Sequence, residues 1–393
     1  MKQLFILLSA ALIVSCSDLK VLEPNDYACY ALQTDSSSLH PMDQLFQQLI
    51  TEKISKGLPG INVSLRTPDG HVWNGAGGRA DLANDVMLNP CHQMMIASIS
   101  KVFTATCIFK LQEDGLLKLN DKLSDHLDGP YMDKIRNAEV VTIRQLLNHT
   151  SGLYDYLDPL KYELISINEP FKSDSPADKL KLAYGKKPVN EPGETYYYSN
   201  TNYVLLGLLV EHLTGKSLSA YEKQVIFDPM QLSSAFAGTT DQPLPPGIPK
   251  GYLSINANDA LMESEFYYHY DLATGDGNIG ITMSELGLFM HALHEGRIIG
   301  TESLAAMKET AVLPEDWQDE YHKQNGQGLE IFETPYGTAY GHTGAIVGFL
   351  STAWYFPESG TWVMFSTNGV SPLVFEQREA FTREILELVF DGE

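Results

Sequence analysis

The amino-acid sequence predicts an α+β fold: one antiparallel sheet built from both chain ends and flanked by helices, with a mostly helical region inserted. Two observations predict it. A helix-like hydrophobic pattern followed by a hairpin-like one opens the 393-residue chain, and a hairpin followed by a helix closes it. The stretch between them is mostly helical in pattern. We therefore expect the two ends to share one sheet, with a ligand site in the cleft beside the helical region.

The first elements are a helix and a hairpin. Residues 42–56 place large apolar side chains on one helical face. Residues 60–65 alternate as a half-buried strand does, residues 68–70 read Pro-Asp-Gly, and residues 71–73 begin a return strand. This pattern predicts the first half of the sheet.

The middle of the chain, about residues 98–293, is mostly helical in pattern, and about residues 120–280 form the predicted insertion. Residues 99–112 and 203–213 predict long apolar helices that stop at glycines. Thr282 and Glu285 have the spacing of a capping box, which predicts a helix running to residue 293.

The end of the chain returns to strands. Residues 349–356 and 361–367 flank Pro-Glu-Ser-Gly and predict a hairpin, and residues 373–390 predict a closing helix. These elements complete one predicted domain over residues 43–390.

The N-terminus predicts export. An apolar run over residues 4–14 is too short to span a bilayer as a helix and is typical of a signal peptide. Since Ile-Val-Ser-Cys resembles a bacterial lipobox, we predict a lipoprotein-type signal peptide over residues 1–15, lipid on Cys16 and a tether over residues 16–42. The expected location is periplasmic or outer-surface, anchored to a membrane through the lipid. An ordinary secretory signal with a chance cysteine is the alternative.

The charge balance argues against a nucleic-acid partner. The chain has 27 Lys+Arg and 50 Asp+Glu residues, a net charge of −23. Binding phosphates requires a basic surface, and this composition does not indicate one.

The remaining cysteines do not predict a disulfide framework. If Cys16 is lipidated, Cys29, Cys91 and Cys107 are left, an odd number that forbids complete internal pairing. Their spacing suggests no zinc site. We expect buried or free thiols.

Ser98 and Lys101 are the first candidate catalytic residues. Positions i and i+3 share a helical face, so the lysine amine can reach the serine hydroxyl, which needs an adjacent base to act as a nucleophile. Apolar neighbours favour burial of the amine in its neutral form. Residues 17–20 repeat the Ser-x-x-Lys pattern within the predicted tether. Ser98 and Lys101 differ from that match because they lie at the start of a predicted apolar helix.

Two further motifs each occur once. Tyr198 and Asn200 lie between a Glu-Pro-Gly breaker and a predicted helix; a tyrosine can shuttle a proton, and an asparagine can donate to a substrate carbonyl. His342, Thr343 and Gly344 precede a predicted strand, where glycine lets a substrate backbone approach an exposed edge. The alternative for Tyr198 is a loop tyrosine that packs on its neighbours. The alternative for residues 342–344 is the ordinary start of a strand.

Ser-x-x-Lys, Tyr-x-Asn and His-Thr-Gly, in this order, resemble the motifs of the penicillin-recognising serine hydrolases. The chain is similar to the branch that holds class C β-lactamases, D-alanyl-D-alanine carboxypeptidases, D-amino-acid peptidases and related esterases. Residues 148–153 and 275–280 support the resemblance, which covers roughly residues 43–390. It implies a β-lactamase/transpeptidase-like fold.

The resemblance also implies roles for the motif residues. Ser98 would form an acyl-enzyme, and Lys101 and Tyr198 would share general-base and general-acid work. The oxyanion hole would use the N–H groups of Ser98 and Ala345. The expected substrate-binding residues are Asn200, His342, Thr343, Gly344 and Ala345. His149 and Ser151 would be structural.

The implied ligand is a small molecule or a peptide, with no metal and no cofactor. His291, His294 and Glu295 share a predicted helix, but nothing elsewhere completes a ligand set. We expect these side chains to lie on a helix surface.

One departure from the family bears on the substrate. Class C β-lactamases typically carry lysine where this chain has His342, and histidine is largely neutral at pH 7. Carboxypeptidases with histidine here use a nearby arginine; Arg297 and Lys323 are candidates for that positive charge. We expect a hydrolase of peptides, amides or esters, with D-amino-acid peptides the natural substrates. The alternatives are a class C-like β-lactamase and a non-catalytic scaffold that binds muropeptide or a partner protein.

Overall fold

The computed structural model describes residues 27–32, 40–158, 175–239, 247–254, 260–264 and 274–392. The predicted signal peptide, Cys16 and much of the predicted tether lie outside these residues. No helix among the described residues has the length and apolar character needed to cross a bilayer.

The elements follow in chain order. The helices are α1 (Asp43–Ser55), α2 (Ser100–Glu113), α3 (Pro130–Lys134), α4 (Ile143–Leu147), α5 (Pro176–Leu180), α6 (Asn200–Thr214), α7 (Leu218–Glu222), α8 (Asp228–Met230), α9 (Met283–His294), α10 (Thr301–Met307) and α11 (Pro372–Asp391). The strands are β1 (Gly60–Arg66), β2 (Val72–Asp81), β3 (Val86–Met87), β4 (Met94–Met95), β5 (Phe236–Ala237), β6 (Tyr252–Leu253), β7 (Met262–Glu263), β8 (Ile279–Ile281), β9 (Ala311–Val312), β10 (His322–Asn325), β11 (Glu330–Thr334), β12 (Gly337–Ile346), β13 (Phe349–Phe356), β14 (Thr361–Thr367) and β15 (Gly369–Val370).

One nine-stranded sheet organises the molecule, in the order β3-β2-β1-β14-β13-β12-β11-β10-β9. Its neighbouring strands are all antiparallel. Strand β1 from the start of the chain pairs with β14 from its end, with Val63 opposite Phe365. The prediction of one sheet built from both chain ends is therefore confirmed.

Helices cover both faces of the sheet, so its central strands are buried on both sides. Every residue of β13 and β14 is buried, as expected for strands that read as apolar runs between two helical layers. Helices α1 and α11 pack on one face, where Phe46, Phe365 and Phe381 share a core. The fully buried Lys53 of α1 donates to Glu384 of α11 at 2.7 Å and links the two terminal helices.

Helix α9 packs against the other face of the sheet, and α2 packs on α9. Helix α2 is buried along most of its length, and Phe103 stacks on Phe289 of α9 with ring centroids 3.8 Å apart. The Thr282 side chain accepts from the Glu285 N–H at the start of α9, which confirms Thr282 as the N-cap. The reciprocal bond of the predicted capping box is not formed, because the Thr282 N–H donates to Ser234 Oγ instead. His294 is half-buried against Tyr355, so the expected surface position holds only in part for this residue.

The expectation of buried or free thiols is confirmed for Cys107 but wrong for Cys29 and Cys91. Cys29 and Cys91 form a disulfide, whereas Cys107 is a buried free thiol. Residues 27–32, within the predicted tether, contact the domain: the Tyr30 N–H donates to the Cys91 carbonyl and the Ala28 N–H to that of Gly247. An odd cysteine count forbids complete pairing but allows one bridge, and a partner 62 residues away leaves no local signal.

Candidate active site

Ser98 lies in a 3₁₀ turn, Ala97–Ile99, directly before α2. Ala97 has φ +49°, a left-handed conformation that costs a non-glycine residue free energy and persists only where its surroundings impose it. The preceding strand β4 pairs with β8, and the Ile96 N–H donates to the Ile279 carbonyl at 3.1 Å. These contacts hold the turn that presents Ser98.

Lys101 lies one helical turn further on and is fully buried. Its ammonium group has three hydrogens, and three oxygen atoms lie within hydrogen-bond distance. The acceptors are Ser98 Oγ at 3.0 Å, Asn200 Oδ1 at 2.9 Å and the Asp276 carbonyl oxygen at 2.9 Å. The structure thus brings the first predicted pair together and adds Asp276, from the loop that precedes β8.

Tyr198 completes a three-residue group around the Ser98 hydroxyl. Its phenol shares a hydrogen bond with Ser98, and Lys101 Nζ lies 5.1 Å from its ring centroid. Burial raises the pKa of Tyr198 well above its ordinary value, and the Ser98 bond offsets only part of this rise. The phenol is therefore neutral at pH 7 and can donate a proton.

His149 and Ser151 pack behind Tyr198 and the start of α6. The His149 ring stacks on Tyr198 with centroids 4.3 Å apart, and its Nδ1 accepts from the Ser199 N–H at 3.1 Å. Complete burial lowers the pKa of His149 well below its ordinary value, so the ring stays neutral. Ser151 Oγ donates to Asn202 Oδ1 at 2.7 Å. Both residues are placed as the structural role requires.

Asp155 is a site residue that the motifs do not indicate. It accepts from the Asn200 N–H at 3.1 Å and from Asn200 Nδ2 at 2.9 Å. These bonds turn Asn200 Oδ1 toward Lys101 and leave the second Nδ2 hydrogen for a substrate carbonyl. Burial raises the pKa of Asp155 to about 7. Its nearest sequence signal is its position shortly after the Asn-His-Thr-Ser-Gly-Leu segment.

The edge of β12 forms the other wall of the cleft. Strand β11 pairs with β12 from Gly337 to Gly341, so no described strand covers residues 342–346 on that edge. A Cβ on Gly344 would lie 2.2 Å from the Ile96 carbonyl oxygen, which explains the glycine at this close approach to the nucleophile turn. Ser98 and Ala345 line one cavity together with Asn200 and Gly277.

The N–H groups along this edge alternate in direction. The Thr343 N–H points away from β13, because it donates to the Glu330 side chain. Strand periodicity gives the Ala345 N–H the same direction. This geometry is consistent with an oxyanion hole beside Ser98.

His342 is buried beside a carboxylate. Its Nδ1 lies 3.5 Å from Glu330 Oε1. Burial lowers the pKa of His342 although Glu330 opposes this shift. Burial raises the pKa of Glu330, but His342, His322 and the bonds from Thr343 outweigh it, so the net shift is downward and the carboxylate is ionised. Glu330 is thus a second site residue that the motifs miss.

The basic residues considered for a carboxylate ligand are engaged elsewhere. Arg297 pairs with Glu295 at 2.9 Å, and Lys323 donates to the Asp319 carbonyl. Arg378 of α11 instead lines a cavity together with Thr343. Within the described part of the chain, no cluster of three His, Cys, Asp or Glu side chains could hold a metal ion.

A serine in the turn before a helix, bonded to a buried lysine and a tyrosine and lying beside a free strand edge, defines a member of the serine hydrolase superfamily that includes β-lactamases and transpeptidases. Residues 42–387 match the beta-lactamase family model, and the chain belongs to that family.

Curated relatives include penicillin-binding protein 4* of Bacillus subtilis strain 168, which is 29% identical over 319 residues, covering 76% of this chain and 66% of that protein. Protein flp of Staphylococcus aureus strain MW2 is 32% identical over 191 residues, covering 48% of this chain and 37% of that protein. The chain therefore spans less than two thirds of the length of these relatives.

Solved structures match more of the chain. D-amino acid amidase from Ochrobactrum anthropi SV3, complexed with L-phenylalanine amide, has a TM-score of 0.77 and 25% identity, and the match covers 88% of this chain and 99% of that one. A D-stereospecific amidohydrolase from a Streptomyces species has a TM-score of 0.76 and 23% identity, covering 89% and 99%. The β-lactamase/transpeptidase-like fold is thereby confirmed.

Proposed function

We propose that the protein hydrolyses amides, peptides or esters through an acyl-enzyme on Ser98, with D-amino-acid derivatives as its substrates. The observation that carries the proposal is the fully buried Lys101 amine nitrogen, 3.0 Å from Ser98 Oγ in a group shared with Tyr198. A serine becomes nucleophilic when neighbours take its proton, and this arrangement supplies such neighbours.

The chemical steps follow from this geometry. Ser98 Oγ attacks the substrate carbonyl while its proton passes to Lys101 in its neutral amine form, and the oxyanion is bound by the N–H groups of Ser98 and Ala345. Tyr198 donates its phenolic proton to the leaving group and regains one from the Lys101 ammonium, and the acyl-enzyme forms as the bond to the leaving group breaks. Water, deprotonated by the same pair, then releases the acid and restores Ser98.

The relatives support the choice of substrate. The amidase from Ochrobactrum was solved with L-phenylalanine amide, and its name gives D-amino acid amides as its substrates. We extend amide hydrolysis to this chain because the fold match covers nearly the whole of that protein.

A panel of amino-acid amides in both configurations tests the proposal. We expect release of ammonia from D-amides by the wild type, much less from their L-enantiomers, and none by Ser98→Ala. Release from neither enantiomer by folded enzyme, or equal release by Ser98→Ala, would contradict it.

Family membership makes β-lactam turnover the second candidate. His342 stands at the position where class C enzymes have lysine, and its burial lowers its pKa, so the fixed positive charge for a β-lactam carboxylate is missing there. Rapid hydrolysis of a cephalosporin, faster than that of any D-amide, would favour this candidate.

We further propose export with a lipid on Cys16. The Cys29–Cys91 disulfide supports export, because such bonds form and persist in oxidising compartments. Labelling of cells with radioactive palmitate should tag the wild type and leave Cys16→Ser untagged. Equal labelling of both would contradict the lipid anchor.

A further inference from the structure

The Glu330 carboxylate occupies the hydrogen-bond donors at one end of the free β12 edge. Its Oε2 accepts from the Thr343 N–H at 2.7 Å and from Thr343 Oγ1 at 2.9 Å. Glu330 is 6% exposed, so this carboxylate is fixed in place and not a mobile surface charge. An incoming anion would find both Thr343 donors already used.

The direction of the sheet assigns this end of the cleft to the leaving group. A substrate segment that pairs with β12 beyond Gly341 takes the position of β11 in the sheet, and β11 runs antiparallel to β12. Strand β12 runs from Thr343 to Ala345, so an antiparallel substrate runs from the Ala345 side toward Thr343. With the reacting carbonyl beside Ala345, the leaving group lies over Thr343 and Glu330.

Other charged and titratable groups surround Glu330. His342 lies beside it, and His322 of β10 and Arg378 of α11 are close enough to interact electrostatically with it. Arg378 Nε is buried and has no hydrogen-bond partner among the described residues. Asp319 and Glu379 also act on Arg378, so its charge is opposed by three acids.

We propose that Glu330 is a specificity-determining residue that selects substrates with uncharged or cationic leaving groups and rejects leaving groups that carry a carboxylate. This inference rests on the proposed function. A free C-terminal carboxylate would lose its hydration, meet occupied donors and lie beside a like charge, each of which weakens its binding. Amides, esters and peptides with a blocked C-terminus avoid these costs.

Two matched aryl esters of N-acetyl-D-phenylalanine test the inference. Their leaving phenols differ in one group, a meta-carboxylate or a meta-carboxamide. For the wild type we expect kcat/KM to be at least about tenfold higher for the carboxamide ester. Glu330→Gln keeps the side-chain shape and an acceptor for Thr343, and it should bring the ratio close to one by raising kcat/KM for the carboxylate ester.

Glu333→Gln is the matched control, because Glu333 is an exposed acid on the same strand. It should leave the ratio unchanged. A wild-type enzyme that prefers the carboxylate ester, or a Glu330→Gln variant that changes both esters equally, would overturn the inference.

Labelling by a fluorophosphonate separates this inference from the proposed function. If Ser98 is not labelled, the proposed function fails. If Ser98 is labelled and the carboxamide ester is not hydrolysed, the proposal about Glu330 fails, because that ester is the substrate it requires.

Discussion

At the scale of single residues, the site is one connected polar network. Asp155 orients Asn200, Asn200 accepts from Lys101, and Lys101 donates to Ser98. Buried polar groups are costly unless they are bonded, so each member fixes the next. The geometry of Ser98 thus depends on a carboxylate three hydrogen bonds away.

Tyr198→Phe should lower kcat/KM for the best amide of the panel by about 10²- to 10⁴-fold, because the phenol can no longer transfer a proton. The fold should be retained, since the phenyl ring still stacks on His149. Tyr197→Phe is the matched control; it loses a hydrogen bond to Asp158 but no contact with Ser98. Its kcat/KM should stay within about threefold of the wild type. Equal losses in both variants would contradict the role of Tyr198.

At the scale of elements, the long helices and the hairpins could be predicted because their hydrophobic periodicity is local. The predicted hairpin strands 349–356 and 361–367 match β13 and β14, and helix 373–390 matches α11 to within one residue. Strands of two or three residues, such as β4 and β8, have too few positions to show a period. They nevertheless hold the turn that presents Ser98.

The motif residues of the site could also be identified from the sequence, but their partners could not. Asp155 contacts Asn200 across 45 residues, and Glu330 contacts Thr343 across 13. Only the folded chain places these carboxylates beside the motifs. The Cys29–Cys91 pair was missed for the same reason.

Gly344→Ala tests the contact between two elements, the edge strand and the nucleophile turn. The added Cβ would lie 2.2 Å from the Ile96 carbonyl oxygen. Because this oxygen belongs to the backbone and cannot rotate away, strand β12 must move away from Ser98. We expect kcat/KM to fall by about 10²-fold or more, since positions in a catalytic site tolerate little displacement.

Gly300→Ala provides the control for this change. Its Cβ would meet a flexible side-chain atom at 3.4 Å, at the start of α10. It should leave kcat/KM unchanged. A Gly344→Ala enzyme with full activity would contradict the close approach of β12 to Ser98.

At the scale of the whole molecule, the free energy of unfolding depends on pH through a buried acid, Glu222. Glu222 of α7 is fully buried and accepts from Asn278, in the loop that leads from Asp276 into β8. Burial raises the pKa of Glu222 to about 8. The folded protein therefore binds this proton more tightly than the unfolded chain does.

Stability should consequently fall as the pH rises between the unfolded pKa of Glu222, about 4.5, and its folded value of about 8. Glu222→Gln retains an acceptor for Asn278 and removes the titration. Its free energy of unfolding should exceed that of the wild type at pH 9 by up to about 5 kcal/mol, because a tenfold change in proton affinity is worth about 1.4 kcal/mol. Urea unfolding at pH 5 and pH 9 measures this difference. Parallel pH profiles for both proteins would contradict it.

The central claim of the account is that Ser98 is the nucleophile. Intact-mass spectrometry tests it most directly, on the chain without residues 1–16, which keeps the Cys29–Cys91 disulfide, after incubation with a fluorophosphonate. The account predicts a single adduct on the wild type, located at Ser98 by peptide mapping, and no adduct on Ser98→Ala. An adduct of equal yield on Ser98→Ala, or none on folded wild type, would contradict it.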